Sequence, residues 1–331
     1  MEKINIVVHS PVNEASLRMI SETSDRIKVD HVWSLIDAEK KGDGVAAKEL
    51  DAFLSRGEIL YGWARLLPEG LLARAPGLKW IQLMSAGVDE LPDEIMSSPV
   101  AVTNASGLHG VPIGEFVLEI MLMFVKKAPL CFRLKQEKQF QGFRPGLLRG
   151  QTVGIVGLGH IGREVARLAK TFGMRVIATR RSAGEGTRAR HVDILVPPEG
   201  LEVLLKESDF VVLALPLTPE TRSLIGEQEL YAMKPEACLV NVGRGAVVDE
   251  TALVRALEEN RIAGAGLDVF STEPLPPESR LWELPNVIFS PHVSGIMPGY
   301  LVRATELFCD NLKRYLSGRR LRHRVVKARG Y

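Results

Sequence analysis

The sequence predicts an α/β protein with two doubly wound parallel-sheet domains, and two observations carry this prediction. The chain has 331 residues, which suffices for about two domains of ordinary size. Short apolar runs alternate with amphipathic stretches in one block over the first hundred residues, and the alternation restarts at Gln151. Alternation of this kind is typical of strands joined by helices in a parallel sheet.

The first block predicts five strands with helices between them. A long helical pattern begins after Pro112 and continues through Leu118 and Leu122 toward Phe140, a length that fits an element between domains or between two copies of the chain. The five predicted strands are Ile4–Val8, Ile27–Val32, Ile59–Trp63, Leu78–Leu83 and Val100–Thr103, and the predicted helices include Ala46–Leu54 and Glu69–Ala75.

The second block predicts a further set of strands and a C-terminal helix. The spacing of apolar residues over Ile296–Leu316 is helical, and we expect this segment to pack back on the first domain. The predicted strands are Thr152–Val156, Arg175–Ala178, Phe210–Leu215, Cys238–Asn241, Gly264–Val269 and Val287–Phe289.

Composition excludes several classes of protein. Lys and Arg number 42 and Asp and Glu 40, a net charge of +2 without a basic block, so we expect no nucleic-acid or membrane partner. The three cysteines form no CxxC or Cys/His cluster, which argues against a metal site and for a reducing compartment. The chain starts in a strand pattern and contains no apolar run of the ~20 residues that a membrane span needs. We therefore expect a cytoplasmic protein.

A Gly-rich loop follows the strand Thr152–Val156 and opens a helix. Its GxGxxG pattern, between two strands and before a helix, is specific for binding the pyrophosphate of a dinucleotide. Gly157 allows a tight turn, Gly159 close approach of the phosphates, and Gly162 close packing of helix and strand. The predicted cofactor-binding residues of this loop are Gly157, Gly159, His160, Ile161 and Gly162, the amides near His160 and Ile161 facing the phosphates.

The residues after the next strand indicate which dinucleotide binds. An NAD site needs a carboxylate there for the ribose hydroxyls, but this chain has Arg180, Arg181 and Ser182. Guanidinium groups bind a 2′-phosphate through charge-assisted hydrogen bonds. We predict NADP as the cofactor, with NAD as the second choice.

Three polar residues, Arg244, Glu273 and His292, each follow a predicted strand in the second block. Open α/β sheets bind ligands at the carboxyl ends of their strands. Reduction of a 2-oxo acid needs a proton donor, an orienting group and a positive charge for the carboxylate. His292, Glu273 and Arg244 respectively fit these roles, and they are the predicted catalytic residues.

The run from Gln151 to Gly295 resembles the D-isomer-specific 2-hydroxyacid dehydrogenases, with motif after motif in the family's order. The resemblance implies that Asp268 contacts the nicotinamide carboxamide and that Thr218 lies near the cofactor. The segment 82–89 is similar to the family's substrate loop, which implies that the amides of Ala86 and Gly87 bind the substrate carboxylate. Trp63 is a candidate for the substrate pocket, and core packing is the equal alternative.

The family resemblance also implies a domain division and a dimer. Residues 1–104 and 295–331 would form a discontinuous, flavodoxin-like substrate domain, and residues 105–294 an inserted Rossmann-type cofactor domain. The long helix after Pro112 would join two copies in a homodimer.

Several activities stay open within the fold. Glyoxylate or hydroxypyruvate reduction leads, and NAD-linked D-glycerate, phosphoglycerate or phosphite dehydrogenases are alternatives; formate dehydrogenases carry Gln where this chain has Glu273. A nucleotide-sensing corepressor is the alternative from a different class, disfavoured by the missing acidic NAD-selecting residue.

Overall fold

The chain folds into two α/β units, each built on one parallel sheet. The computed structural model describes residues 3–184 and 186–330. One unit comprises Met1–Leu108 with Met297–Tyr331, and the other His109–Ile296. The predicted domain ranges also take in residues 1, 2, 185 and 331, which lie outside the described residues.

The discontinuous unit contains a five-stranded sheet in the order β2-β1-β3-β4-β5, which is the flavodoxin-like order. Every neighbouring pair runs parallel. The strands are β1 (Ile4–Val8), β2 (Ile27–His31), β3 (Ile59–Gly62), β4 (Trp80–Leu83) and β5 (Ala101–Thr103). The helices are α1 (Glu14–Ser21), α2 (Trp33–Lys40), α3 (Gly44–Leu54), α4 (Leu71–Arg74), α5 (Asp93–Ser97) and α12 (Tyr300–Leu316).

Helix α12 belongs to this unit because its aromatic residues pack on the sheet. The Phe308 ring stacks on Tyr61 with 4.3 Å between ring centroids, and both side chains are buried. The Tyr315 hydroxyl donates to Glu58 at 2.7 Å. Burial of these large rings supplies much of the hydrophobic free energy that holds the helix in place.

The continuous unit contains a seven-stranded sheet in the order β12-β11-β10-β9-β6-β7-β8, the Rossmann order extended by one strand. The strands are β6 (Thr152–Val156), β7 (Arg175–Thr179), β8 (Ile194–Val196), β9 (Phe210–Leu213), β10 (Cys238–Asn241), β11 (Gly264–Leu267) and β12 (Val287–Phe289). The helices are α6 (Gly110–Val125), α7 (Ala128–Gln136), α8 (His160–Thr171), α9 (Leu201–Glu207), α10 (Glu227–Ala232) and α11 (Glu250–Glu258). The predicted fold class is confirmed.

The prediction of a single long helix after Pro112 is wrong in one respect, because two helices occupy this segment. Lys127 adopts φ 55°, in the left-handed region, and separates α6 from α7. Pro129, in the first turn of α7, has no N–H to continue a preceding helix. The apolar spacing runs on across the break, so periodicity alone does not reveal it. In the described part of the chain, no helix has both the length and the apolar character needed to cross a membrane.

Candidate active site

The Gly-rich loop connects β6 to α8 and has the shape that a pyrophosphate requires. Gly157 has φ +102°, a conformation that strains any residue with a side chain. A Cβ on Gly162 would overlap the carbonyl oxygen of Gly157, so glycine is needed for the helix to lie this close to the strand. Apart from Gly159 and its chain neighbours, no heavy atom of the described residues lies within 4 Å of the Cβ position at Gly159, which leaves an open cradle. The loop therefore fits a dinucleotide.

The first N–H groups of α8, at His160 and Ile161, border this cradle. The N–H groups of a helix's first turn have no acceptor within the helix, and they carry its positive partial charge. Burial, and after it the charge of Arg163, lowers the pKa of His160, so its ring is neutral at pH 7. The positive potential at the loop therefore comes from the backbone rather than from the imidazole.

Arg180 and Arg181 follow β7, at the same edge of the sheet as the Gly-rich loop. The Arg180 Nε donates to the Ser182 hydroxyl at 2.6 Å, so the first and last residues of the Arg180–Ser182 segment are bonded to each other. The pKa of the Glu220 carboxyl is lowered, first by a hydrogen bond from Thr218 and further by the charge of Arg181. Arg181 and Thr218, from two different loops, thus act on one carboxylate.

Arg244 is carried by a turn that Asn241 shapes. The Asn241 side chain accepts from the Gly243 N–H at 3.1 Å and donates to the Arg244 carbonyl at 3.0 Å. Gly245 follows, and a Cβ there would overlap the carbonyl group of Phe270. The Arg244 turn therefore lies directly against the segment that leads from β11 to Glu273.

Glu273 and His292 form a hydrogen-bonded pair. Glu273 Oε2 lies 2.7 Å from His292 Nδ1, and Oε1 accepts from the Phe270 N–H at 3.0 Å. A carboxylate only accepts hydrogen bonds, so Nδ1 carries the hydrogen and Nε2 is left to exchange a proton. The His292 side chain is 50% exposed, which gives a substrate access to the ring. Its backbone has φ 56°, an uncommon value for histidine.

Asp268 organises the loop that bears His292. Its Oδ1 accepts from the Ser290 hydroxyl at 2.6 Å and from the N–H groups of Val293 and Ser294 at 2.9 and 3.1 Å. Its Oδ2 accepts from the Ser294 hydroxyl, and its carbonyl from the His292 N–H at 2.9 Å. This role was not predicted from the sequence. The predicted contact of Asp268 with a nicotinamide carboxamide stays a prediction.

His109 is a further polar residue of this unit. Burial, and after it the charge of Arg244, lowers the pKa of His109. A Cβ on Gly295 would lie 2.8 Å from its ring. His109 thus packs as a neutral ring beside the end of the His292 loop.

In the discontinuous unit, the loop after β4 contains Ala86 and Gly87. The Asn104 side chain donates to the Ala86 carbonyl at 2.6 Å, and the Ser85 hydroxyl to the Gly87 carbonyl at 2.9 Å. No acceptor for the N–H of Ala86 or Gly87 occurs among the residues that the structure describes. The carbonyls of this loop are thus held by side chains, and two successive N–H groups are left available, as an anion site requires.

Trp63, directly after β3, stacks on Tyr300 with 5.9 Å between ring centroids. Its carbonyl lies 3.1 Å from the Nε2 of His9, a fully buried residue. Burial lowers the pKa of His9 to about 4, aided by the charge of Lys40 and opposed by the bond to Trp63. The ring is therefore neutral at neutral pH.

We expect the neutral state of His9 to make the fold acid-sensitive. Below pH 6.5 the unfolded chain binds a proton that the folded protein excludes until about pH 4, so stability falls as pH falls through this window. The loss in the free energy of unfolding across this window amounts to about 3 kcal/mol. Denaturant unfolding of the wild type and His9→Leu between pH 7 and 4 measures it. Between pH 7 and 4, the free energy of unfolding should fall less in the variant than in the wild type. If it falls equally in both proteins, the assignment of a neutral, buried His9 is contradicted.

A phosphate-binding loop and a carboxylate-oriented histidine at one edge of a Rossmann sheet define a nicotinamide-dependent oxidoreductase. Residues 118–294 match the family model of the D-isomer specific 2-hydroxyacid dehydrogenase NAD binding domain. The chain belongs to the D-isomer specific 2-hydroxyacid dehydrogenase family, and it is an NAD(P)-dependent enzyme. The predicted family and enzyme class are confirmed.

Relatives with assigned activities share most of the chain. A glyoxylate reductase of Aeropyrum pernix is 38% identical over 261 residues, 75% of this chain and 76% of that protein. Glyoxylate/hydroxypyruvate reductase B of Pectobacterium carotovorum is 36% identical over 288 residues, 82% of this chain and 88% of that protein. A crystal structure of an NADPH-dependent glyoxylate/hydroxypyruvate reductase from Sinorhizobium meliloti, in complex with NADP and sulfate, has a TM-score of 0.82. It is 27% identical, covering 99% of this chain and 100% of that one.

Proposed function

We propose that the protein is an NADPH-dependent reductase of glyoxylate and hydroxypyruvate that forms the D-hydroxy acid. The observation that carries the proposal is the 2.7 Å pair of Glu273 and His292 in the unit that holds the Gly-rich loop. The names of the relatives from Aeropyrum pernix and Pectobacterium carotovorum support these two substrates. Arg180 and Arg181, in place of a carboxylate, support NADP over NAD.

The roles of the residues follow from their chemistry. When bound, the reduced nicotinamide supplies a hydride to the carbonyl carbon. His292 donates the proton to the carbonyl oxygen from Nε2, while Glu273 holds Nδ1 and stabilises the charged ring before the proton is released. Arg244 binds the carboxylate and polarises the carbonyl. In oxidation of the hydroxy acid, neutral His292 takes the proton back.

We assign cofactor and substrate binding to different parts of the chain. Residues 105–294 bind the dinucleotide through Gly157, Gly159, Gly162 and the amides of the first turn of α8, with Thr218 and Asp268 beside it. Residues 1–104 and 295–331 bind the substrate, whose carboxylate accepts hydrogen bonds from the Ala86 and Gly87 amides. The free N–H groups of this loop support the assignment.

A kinetic panel tests the proposed reaction. Full-length protein is mixed with NADPH or NADH and a series of 2-oxo acids, and the absorbance of the reduced nicotinamide is followed. We expect turnover of glyoxylate and hydroxypyruvate with NADPH, slower turnover with NADH, and D-glycerate from hydroxypyruvate by chiral chromatography. Absence of turnover across the panel would contradict the proposed activity, and L-glycerate the stereochemistry.

The variant Arg180→Asp tests the choice of cofactor. We expect kcat/KM for NADPH to fall about 10- to 100-fold, because a charge-assisted bond to the 2′-phosphate is replaced by repulsion, while kcat/KM for NADH changes little. Arg149→Asp is the matched control, since it introduces the same charge change at an exposed site just before β6, at the opposite edge of the sheet. Equal losses for NADPH and NADH would overturn the NADP assignment.

We infer a homodimer built on α6. Partly exposed Leu118, Leu122 and Met123 line an apolar groove of about 440 Å³ along this helix. Exposed apolar surface of this kind is typical of protein interfaces. Sedimentation velocity should give a dimer for the wild type and a monomer for Leu118→Glu. A monomeric wild type would contradict the inference.

We also propose a cytoplasmic location. All three cysteines are free thiols, and burial raises the pKa of Cys238 to about 12 and also raises that of Cys309. Cysteines without a disulfide fit a reducing compartment. Immunoblots of cell fractions should find the protein with cytoplasmic markers.

A further inference from the structure

Side chains from the end of β1 hold the backbone of Trp63. The pairing of β1 with β3 reaches Val8 opposite Tyr61, and its last backbone bond runs from the His9 N–H to the Tyr61 carbonyl. Beyond it, the Trp63 N–H donates to the Ser10 hydroxyl at 2.8 Å, and its carbonyl lies 3.1 Å from His9 Nε2. Because a carbonyl only accepts, Nε2 donates. The two side chains therefore continue the pairing of the strands at Trp63.

This arrangement of His9, Ser10 and Trp63 requires glycine at position 62. A Cβ on Gly62 would overlap the Ser10 hydroxyl and would lie 2.6 Å from His9 Nε2. Real Cβ atoms do not approach other atoms this closely. Only a residue without a side chain lets His9 and Ser10 reach the Trp63 peptide, so these residues form one structural unit, which we call the Trp63 clamp.

His9 is an unfavourable choice for packing alone. Its side chain is fully buried, and no hydrogen-bond partner of its Nδ1 is found among the described residues. An unpaired buried nitrogen destabilises the folded state, and an apolar side chain of similar size would not have this penalty. The bond of Nε2 to Trp63 is the interaction that a histidine provides and an apolar residue does not.

The indole of Trp63, whose backbone the clamp holds, is linked to the loop after β4 through Tyr300. The Trp63 and Tyr300 rings are inclined by 16° and stack, and the Tyr300 hydroxyl donates to the Met84 carbonyl. Met84 comes two residues before Ala86, one of the proposed ligands of the substrate carboxylate. A chain of contacts thus runs from His9 through Trp63 and Tyr300 to that loop, all within the discontinuous unit.

We propose that His9 is a positioning residue which, with Ser10, fixes the Trp63 indole and thereby makes it a rigid wall that limits the size of the 2-oxo acid side chain. This inference rests on the proposed function, because it assigns the specificity of that reaction. A fixed wall rejects larger substrates by steric overlap, whereas a mobile indole moves aside. One methylene more or less in a hydrophobic pocket changes discrimination about 10- to 200-fold, so displacement of a single wall can change specificity by a comparable factor.

Kinetics of clamp variants test the effect on specificity. For wild type, His9→Leu, His9→Gln and Ser10→Ala, kcat/KM is measured with NADPH for glyoxylate and for 4-methyl-2-oxopentanoate. We expect His9→Leu to lower the ratio of the two values about 10-fold, through KM rather than kcat, with KM for NADPH unchanged. His9→Gln keeps a donor near the position of Nε2 and should restore most of the ratio. Ser10→Ala, which deletes only a hydroxyl from the clamp, should lower it.

An activity-independent measurement tests the clamp itself. The chain contains four tryptophans, so protein labelled with ¹⁵N-tryptophan gives only four backbone amide and four indole NMR signals. In His9→Leu and Ser10→Ala, we expect faster hydrogen exchange at the Trp63 amide and a shifted Trp63 indole signal, with the other three tryptophans unchanged. Ser16→Ala is the matched control, since it also removes a buried hydroxyl from this unit, but one that has no hydrogen-bond partner among the described residues.

The kinetic and NMR measurements distinguish failure of the positioning role from failure of the proposed function. An unchanged ratio in His9→Leu and Ser10→Ala, or unchanged Trp63 signals, would overturn the positioning role and leave His9 as a packing residue. If the wild type reduces no 2-oxo acid, the proposed function fails, and the specificity role of the clamp fails with it. The NMR arm then still decides whether His9 holds Trp63.

Discussion

His292→Asn is expected to lower kcat about 1000-fold while the enzyme still binds NADPH. The variant removes the proton donor, and general acid catalysis by a positioned side chain contributes about 10²- to 10⁴-fold. Asparagine is the appropriate substitution because His292 has φ 56°, and asparagine adopts the left-handed region more readily than other residues that have a side chain. The measurement is steady-state reduction of glyoxylate, with NADPH binding followed separately by fluorescence titration.

Val293→Ala is the control for this variant, because it changes the next side chain, 40% exposed, and leaves the N–H that Asp268 accepts. It should keep nearly wild-type kcat. Glu273→Gln should give an intermediate loss, since an amide oxygen still orients the ring but no longer stabilises its positive charge. Unchanged kcat in His292→Asn would mean that the proton comes from another group.

Gly245→Ala is expected to lower kcat at least 100-fold by displacing two catalytic residues at once. A Cβ on Gly245 would overlap the Phe270 carbonyl group, so one of the two segments has to move. One of them carries Arg244, and in the other the Phe270 N–H donates to Glu273 at 3.0 Å. Misplacing catalytic groups by about 1 Å costs about 10²-fold in rate. Turnover and thermal unfolding of the variant provide the measurement.

The matched control is Gly226→Ala, at the start of α10 in the same unit. A Cβ there would lie 3.5 Å from its nearest atom, which is an ordinary contact, so kcat should stay near the wild-type value. NADPH binding should persist in Gly245→Ala, since the phosphate loop follows β6 rather than β10. Wild-type kcat in a folded Gly245→Ala protein would show that the close contact of the two segments does not position the catalytic groups.

Much of the fold follows from local sequence signals. β1, β6, β10 and β12 have the predicted bounds, and polar or glycine residues border the apolar runs of β1, β6 and β12. The GxGxxG loop was predictable because glycine has a specific backbone function at each of its positions. Strand β8 was missed. It is a three-residue edge strand, only half-buried, and Pro197 follows it directly.

The supporting contacts of the site were not predictable, because they join residues that are distant in sequence. Asp268 accepts bonds from backbone groups 25 and 26 residues further on, and any residue except proline would offer the same N–H. His9 and Trp63 are 54 residues apart, and a lone histidine after a strand gives no sign of its partner. The sequence identifies which side chains have useful chemistry, whereas the groups that orient them depend on the tertiary structure.

The left-handed backbone of His292 places activity and heat resistance in conflict at one position. A residue with a Cβ is strained at φ 56°, and the bonds of Asp268 to Val293 and Ser294 hold it there. Glycine would relieve this strain and remove the proton donor. A selection for thermostability alone would therefore favour His292→Gly and yield robust but inactive proteins, so any laboratory evolution of this enzyme has to select for turnover at the same time.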